Sequence, residues 1–136
     1  MLPQALQLLC CRKICLNSNC GKKSTHSMVS LWALDRLSEM GAEEVVPDFI
    51  QRLRHEDALQ RERACEALGR IGGADAVAAL NEQAVHDPTQ TVRAVACRAL
   101  GRIGSEAAAD PLARLALESE DVQVRAAACR ALGRIG

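Results

Sequence analysis

Aromatic side chains are almost missing from this chain: Trp32 and Phe49 are the only two in 136 residues, and tyrosine is absent. That excludes a core built around rings, and it removes the platforms on which proteins stack unpaired bases. The core has to come from Ala, Leu, Val and Ile, side chains small enough to let helices approach closely, which points to all-α packing. A net charge is missing too, since 17 basic residues balance 17 acidic ones. No global field therefore draws nucleic acid or an anionic membrane from a distance, and the expectation is no nucleic acid and no membrane among the partners. Long apolar runs are also lacking: nothing approaches the roughly 18 consecutive apolar residues of a membrane-spanning helix. The segment Met1 to Leu9 has neither the basic n-region nor the small-residue cleavage site of a signal peptide. A cytoplasmic protein is expected.

Cysteine is the residue the chain does have, seven times, in two groups. Cys10, Cys11, Cys15 and Cys20 crowd near the N-terminus, with His26 nearby. Only the Cys11–Cys15 and Cys15–Cys20 spacings come near the paired C-x₂₋₄-C ligands of structural zinc, so the expectation is no bound metal and no cofactor. Acylation of Cys10 or Cys11 is an alternative, and an atypical, disordered leader over residues 1–27 is the main reading. Cys65, Cys97 and Cys129 instead recur every 32 residues, one structural position seen three times. A buried free cysteine behaves as a small hydrophobe, so packing is expected for all three, and an odd thiol count fits a reducing, intracellular compartment.

That spacing belongs to an internal repeat. ALGRIG stands at Ala67–Gly72, Ala99–Gly104 and Ala131–Gly136, extended backwards as RERACEALGRIG from Arg61, VRAVACRALGRIG from Val92 and VRAAACRALGRIG from Val124. A period of about 32 means a stack of supersecondary units that bury their faces against one another. Val92, Ala96, Ala99, Leu100 and Ile103 keep helical spacing and mark one face of the second helix of a pair. Gly72, Gly104 and Gly136 stand where such a helix stops, at the position that takes a left-handed residue. Asp57, Thr89 and Asp121, also 32 apart, suit its N-cap. The first helices are expected over Glu43 to Arg54, Ala74 to His86 and Glu106 to Glu118, with a bend near Pro111. A looser copy from Ser30 to Met40 reads as a leading helix. The fold class is thus an all-α solenoid of antiparallel helical hairpins over residues 28–136: one leading helix and three pairs.

The string V-R-x-x-A-C-x-A-L-G-R-I-G behind an acidic or Thr cap resembles the short HEAT-like repeats of the phycobilisome-lyase type, over roughly Ser30 to Gly136. The ankyrin T-P-L-H-x-A string and the tetratricopeptide Trp and Tyr positions are missing. The resemblance implies a binding solenoid whose second helices line an inner groove. One enzyme of this type, deoxyhypusine hydroxylase, holds two irons with His-Glu pairs ahead of the A-L-G string. Here those positions are Glu62-Arg63, Ala94-Val95 and Ala126-Ala127, so the ligands for that chemistry are not there. His55-Glu56 is a His-Glu dipeptide, but it falls in a loop, as does His86-Asp87. No catalytic residue is assigned and a non-enzymatic reading follows; the alternative is an accessory module of a lyase- or hydroxylase-type enzyme whose catalytic part lies elsewhere.

Charge on the second helices is the candidate binding feature. Arg98 and Arg102 are four apart, as are Arg130 and Arg134, with Glu66 and Arg70 at the same two positions one repeat earlier. Residues four apart share a helix face, so stacked repeats align a ladder of five Arg and one Glu. Guanidinium groups fork onto carboxylates, and an acidic peptide segment is the partner expected. The alternative is that these side chains only solvate exposed positions and cover Ala-rich surface with their stems. Arg61, Arg93 and Arg125 form a second column, expected to make capping and repeat-to-repeat hydrogen bonds. The repeat ending at Gly136 is as regular as the one before it, which suggests a fragment or short isoform of a longer array, with self-association through the uncapped C-terminal repeat as the competing expectation.

Overall fold

The computed structural model describes residues 45–136. The leader, its cysteine cluster, the helix expected at Ser30 to Met40 and the boundary at residue 28 lie outside the described residues.

The described part is three helical hairpins in sequence. Helix α1 (Val46–Arg52) pairs with α2 (Ala58–Ile71), α3 (Ala74–His86) with α4 (Gln90–Ile103), and α5 (Ala109–Glu118) with α6 (Val122–Ile135). A 3-10 turn, Glu106–Ala108, leads into α5. Pro47 stands in the first turn of α1, where its missing N–H costs nothing. Pro111 stands in the first turn of α5, and the change from 3-10 to α geometry at Ala108–Ala109 lies just before it.

The starts and stops are local chemistry. Asp57 accepts from the Leu59 amide and Asp121 from the Gln123 amide, each satisfying a first-turn N–H that has no partner within its helix. Thr89 has the same place at the start of α4 but makes no such bond; its hydroxyl is engaged elsewhere, as described below. Helix α4 ends on Gly104 in the left-handed region, at φ 73° and ψ 24°, a conformation that a side chain would strain.

Two layers result. The first helices form one, with α3 barely touching α1 or α5; the second helices form the other, with α4 packed along both α2 and α6. The closeness of the second layer comes from one glycine per repeat. A Cβ added at Gly69 would stand 2.8 Å from the Ala99 Cβ, and one at Gly101 would stand 2.7 Å from the Ala131 Cα. Between the layers runs a continuous aliphatic core. Leu68, Leu80, Leu100 and Leu112 are fully buried in it, alongside Val92, Val124 and the single ring of Phe49. Each contributes on the order of 2 kcal/mol relative to exposure.

Candidate functional site

The second helices α2, α4 and α6 pack along one another more closely than the first helices do, and the side of this layer turned away from the first helices is exposed. On this face the arginine ladder is found. Arg70, Arg98, Arg102, Arg130 and Arg134 are all exposed, as is Glu66. None of the five arginines has an ion pair or side-chain hydrogen bond among the described residues. Arg70, Arg102 and Arg134 repeat one register position on three adjacent helices, and Glu66, Arg98 and Arg130 repeat another. Arg63 shares the α2 face one turn before Glu66 and was not singled out in the sequence, because its counterparts Val95 and Ala127 are buried and apolar.

The second arginine column behaves differently at each repeat. Arg61 is buried and spans two hairpins: its Nε donates to Asp87 Oδ2 at 2.9 Å and its Nη2 to Asp87 Oδ1 at 3.3 Å. The same Nη2 donates to Thr89 Oγ1 at 2.9 Å, and Nη1 reaches the carbonyls of His55 and Glu56 at 2.7 and 2.9 Å. This is the engagement that removes the Thr89 hydroxyl from its capping role. The repeat-to-repeat bonding expected of the column is therefore present at Arg61, whereas Arg93 makes no side-chain hydrogen bond and its buried Nε has no partner. Arg125 is exposed.

The spaces between successive hairpins also differ in size. Between α1 and α3, where Arg61 holds Asp87, the space is about 250 Å³. The equivalent space between α3 and α5, lined by Arg93, Ser119 and Asp121, is about 830 Å³. Its walls carry five carboxylates, those of Glu82, Asp110, Glu118, Glu120 and Asp121, against the guanidinium groups of Arg93 and Arg114. Nothing in the repeat string announces this cleft; the signal is in the loop column His55, Asp87, Ser119, where the residue type changes at each step.

The cysteine column also splits. Cys65 and Cys97 are completely buried, as packing requires. Burial pushes the Cys65 thiol up to about 12 and the Cys97 thiol to about 11, because the thiolate would be stripped of water. Cys129, for which packing was also expected, is exposed: no described element covers the outer face of α6. Gly133 on the same helix likewise has nothing within 4 Å of the place its Cβ would take. Among the described residues no group of three His, Cys, Asp or Glu side chains is placed to hold a metal ion, and no helix is long and apolar enough to cross a membrane.

A family model for HEAT repeats matches the chain twice, over residues 22–96 and 82–136. With two stacked layers, a repeated glycine crossing and this match, the chain belongs to the HEAT-repeat family. Among solved structures it is similar to human deoxyhypusine hydroxylase in complex with glycerol, with a TM-score of 0.75 and 22% sequence identity over 94% of this chain. The match covers 43% of that chain, so this sequence spans less than half of it. The likeness is one of fold. No curated protein matches the sequence.

Proposed function

We propose that the protein is a non-enzymatic interaction scaffold that holds an extended acidic segment of a partner protein along the exposed face of its second helices. The observation that carries this reading is that Arg70, Arg98, Arg102, Arg130 and Arg134, at two repeated positions on three adjacent helices, have no ion pair among the described residues. Five guanidinium groups on one face, with their forks unused, suit a run of carboxylates. A segment lying across the helices meets one rung per repeat, and Glu66 sets a polarity by repelling carboxylates at one end. The buried, unpaired thiols of Cys65 and Cys97 suit a reducing cytoplasmic setting.

The test is binding of a fluorescent glutamate-rich peptide by anisotropy, with the quadruple variant in which Arg98, Arg102, Arg130 and Arg134 are replaced by Glu. Loss of binding with helicity retained supports the scaffold. Undiminished binding by the folded variant would refute it.

A second reading, an accessory module to an enzyme, draws on the likeness to a hydroxylase. Against its having iron chemistry of its own, the positions where that enzyme type places His-Glu pairs are Glu62-Arg63, Ala94-Val95 and Ala126-Ala127 here. Elemental analysis after iron loading separates the two: stoichiometric iron would favour the enzyme reading. Self-association is a further proposal, favoured by the open Gly133 slot and the exposed Cys129 on α6. Sedimentation that is monomeric at all concentrations would exclude it.

A further inference from the structure

The side chain at the loop position before each second helix accepts from a backbone amide in the first two repeats and makes no such bond in the third. His55 Nδ1 accepts from the Asp57 amide at 3.0 Å, and Asp87 Oδ1 accepts from the Thr89 amide at 2.8 Å. Ser119 occupies the same register, 32 residues after Asp87, and makes no such bond. The loss reaches across the repeat boundary. Asp87 also takes the Arg61 guanidinium on both its oxygens, while Arg93, the counterpart of Arg61, is left with its Nε buried and without an acceptor. Both Arg93 and Ser119 line the same cleft, which is more than three times the volume of the one that Asp87 lines.

We propose that Ser119 is a phosphorylation site, and that its phosphate supplies the anion that Asp87 supplies one repeat earlier, drawing Arg93 across the cleft between α3 and α5. Ser119 is half-buried at the end of α5 and is one of the residues that line the cleft. A phosphoserine carries close to two negative charges and three acceptor oxygens at neutral pH, enough to take a guanidinium fork and a backbone amide together. The flanking residues name the modifying enzyme's class. Glu118 precedes Ser119, and Glu120 and Asp121 follow it, a surround that suits a serine kinase with a basic substrate groove. The same carboxylates argue against a free anion in this cleft, because they repel one arriving from solution. A phosphate tethered at position 119 is held at high effective concentration beside Arg93, and its pairing with that guanidinium has to outweigh the repulsion of the same carboxylates.

The step is an ordinary phosphoryl transfer. A nucleoside triphosphate is the donor; its bond between the γ-phosphorus and the β–γ bridging oxygen breaks as the Ser119 Oγ–phosphorus bond forms. The hydroxyl proton passes to the kinase's base, and the nucleoside diphosphate leaves.

The experiment uses the full chain with magnesium-ATP and a purified acid-directed serine kinase, with phosphosites mapped by mass spectrometry and thermal unfolding followed by circular dichroism. The expected result is one phosphate on Ser119 and a rise of about 4 °C in the unfolding midpoint. In Arg93→Ala the phosphate should still be added while the rise disappears. The Ser119→Asp variant, which needs no kinase, should give part of the rise and lose it in combination with Arg93→Ala. Absence of phosphate at Ser119, or a midpoint shift that is the same with Arg93 and with Ala at that position, would overturn the proposal.

Discussion

Gly101 lies so close beneath Ala131 that a Cβ on the glycine would come within 2.7 Å of the alanine backbone. The two residues belong to adjacent second helices, α4 and α6, and their contact sets how near the helices run. Gly69 and Ala99 make the same contact one repeat earlier. The middle glycine of ALGRIG is therefore the spacer of the second layer.

Replacing that glycine tests the relationship against a control built into the chain. Gly101→Ala forces α6 away or strains the crossing, and overpacking of this kind costs about 1–3 kcal/mol. Gly133 has the same register on α6 with nothing near its Cβ position, and alanine is the better helix former by about 1 kcal/mol. Gly133→Ala should leave stability unchanged or raise it. Urea titration of both variants reads the opposite signs, and a loss of equal size in both would remove the spacer role.

Arg61 and Asp87 should be among the most costly polar residues to lose. The side chains are 10% and 1% exposed and meet at 2.9 Å. Removing one partner of such a buried pair typically costs about 3–5 kcal/mol, because the other charge is left without compensation. Asp87→Ala strands Arg61 and is expected near the upper end. Arg61→Met keeps the stem packed but strands the more deeply buried Asp87 carboxylate, and is expected in the same range. A double-mutant cycle by denaturant unfolding should return a coupling above about 1 kcal/mol, and additive losses would mean that the pair contributes only by filling space.

Two thiols predict an alkaline weakness. Cys65 and Cys97 are raised from a thiol's usual 9.0 to about 12 and about 11, in both cases chiefly by burial. The folded state thus holds the proton more tightly than the unfolded chain does. The associated stability is complete below pH 9 and is lost as pH rises through 11 to 12. Unfolding midpoints should fall across that window, and Cys65→Ala with Cys97→Ala should flatten the fall. At pH 8 a thiol reagent should modify Cys129 with Cys65 and Cys97 protected until the chain unfolds. Labelling of Cys65 at the rate of Cys129 in the native protein would contradict its burial.

Much of the fold was legible because a repeat states its own register three times. The period, the stop at Gly104 and the caps at Asp57 and Asp121 followed from residue type and spacing, and α3 spans the expected Ala74 to His86. What was hidden depends on contacts between repeats. Gly69 and Gly101 look like any helix glycine until the neighbouring alanine is in place. Thr89 reads as a cap, but a buried guanidinium from the previous repeat competes for its hydroxyl. Cys129 shares a column with two core residues, but no described helix lies against it. The larger cleft is lined by residues of the loop around Ser119, whose type changes from repeat to repeat.

The arginine ladder makes a prediction of opposite sign to its disruption. Glu66 is the one acidic residue at the ladder's two positions, so Glu66→Arg would complete it. The added group is exposed and faces water, where a pair of charges at contact distance is worth about 1 kcal/mol or less. Binding of a glutamate-rich peptide should therefore tighten only about two- to fivefold at low salt. Because the Debye length shrinks from about 30 Å at 0.01 M to about 8 Å at physiological ionic strength, the gain should fade as salt is added. The same reversal at Glu82, exposed on α3 in the other layer, changes the net charge identically without touching the ladder. If Glu82→Arg tightens binding as much as Glu66→Arg, the peptide responds to total charge and not to a surface. If only Glu66→Arg does so, the exposed face of the second helices is where the acidic segment lies.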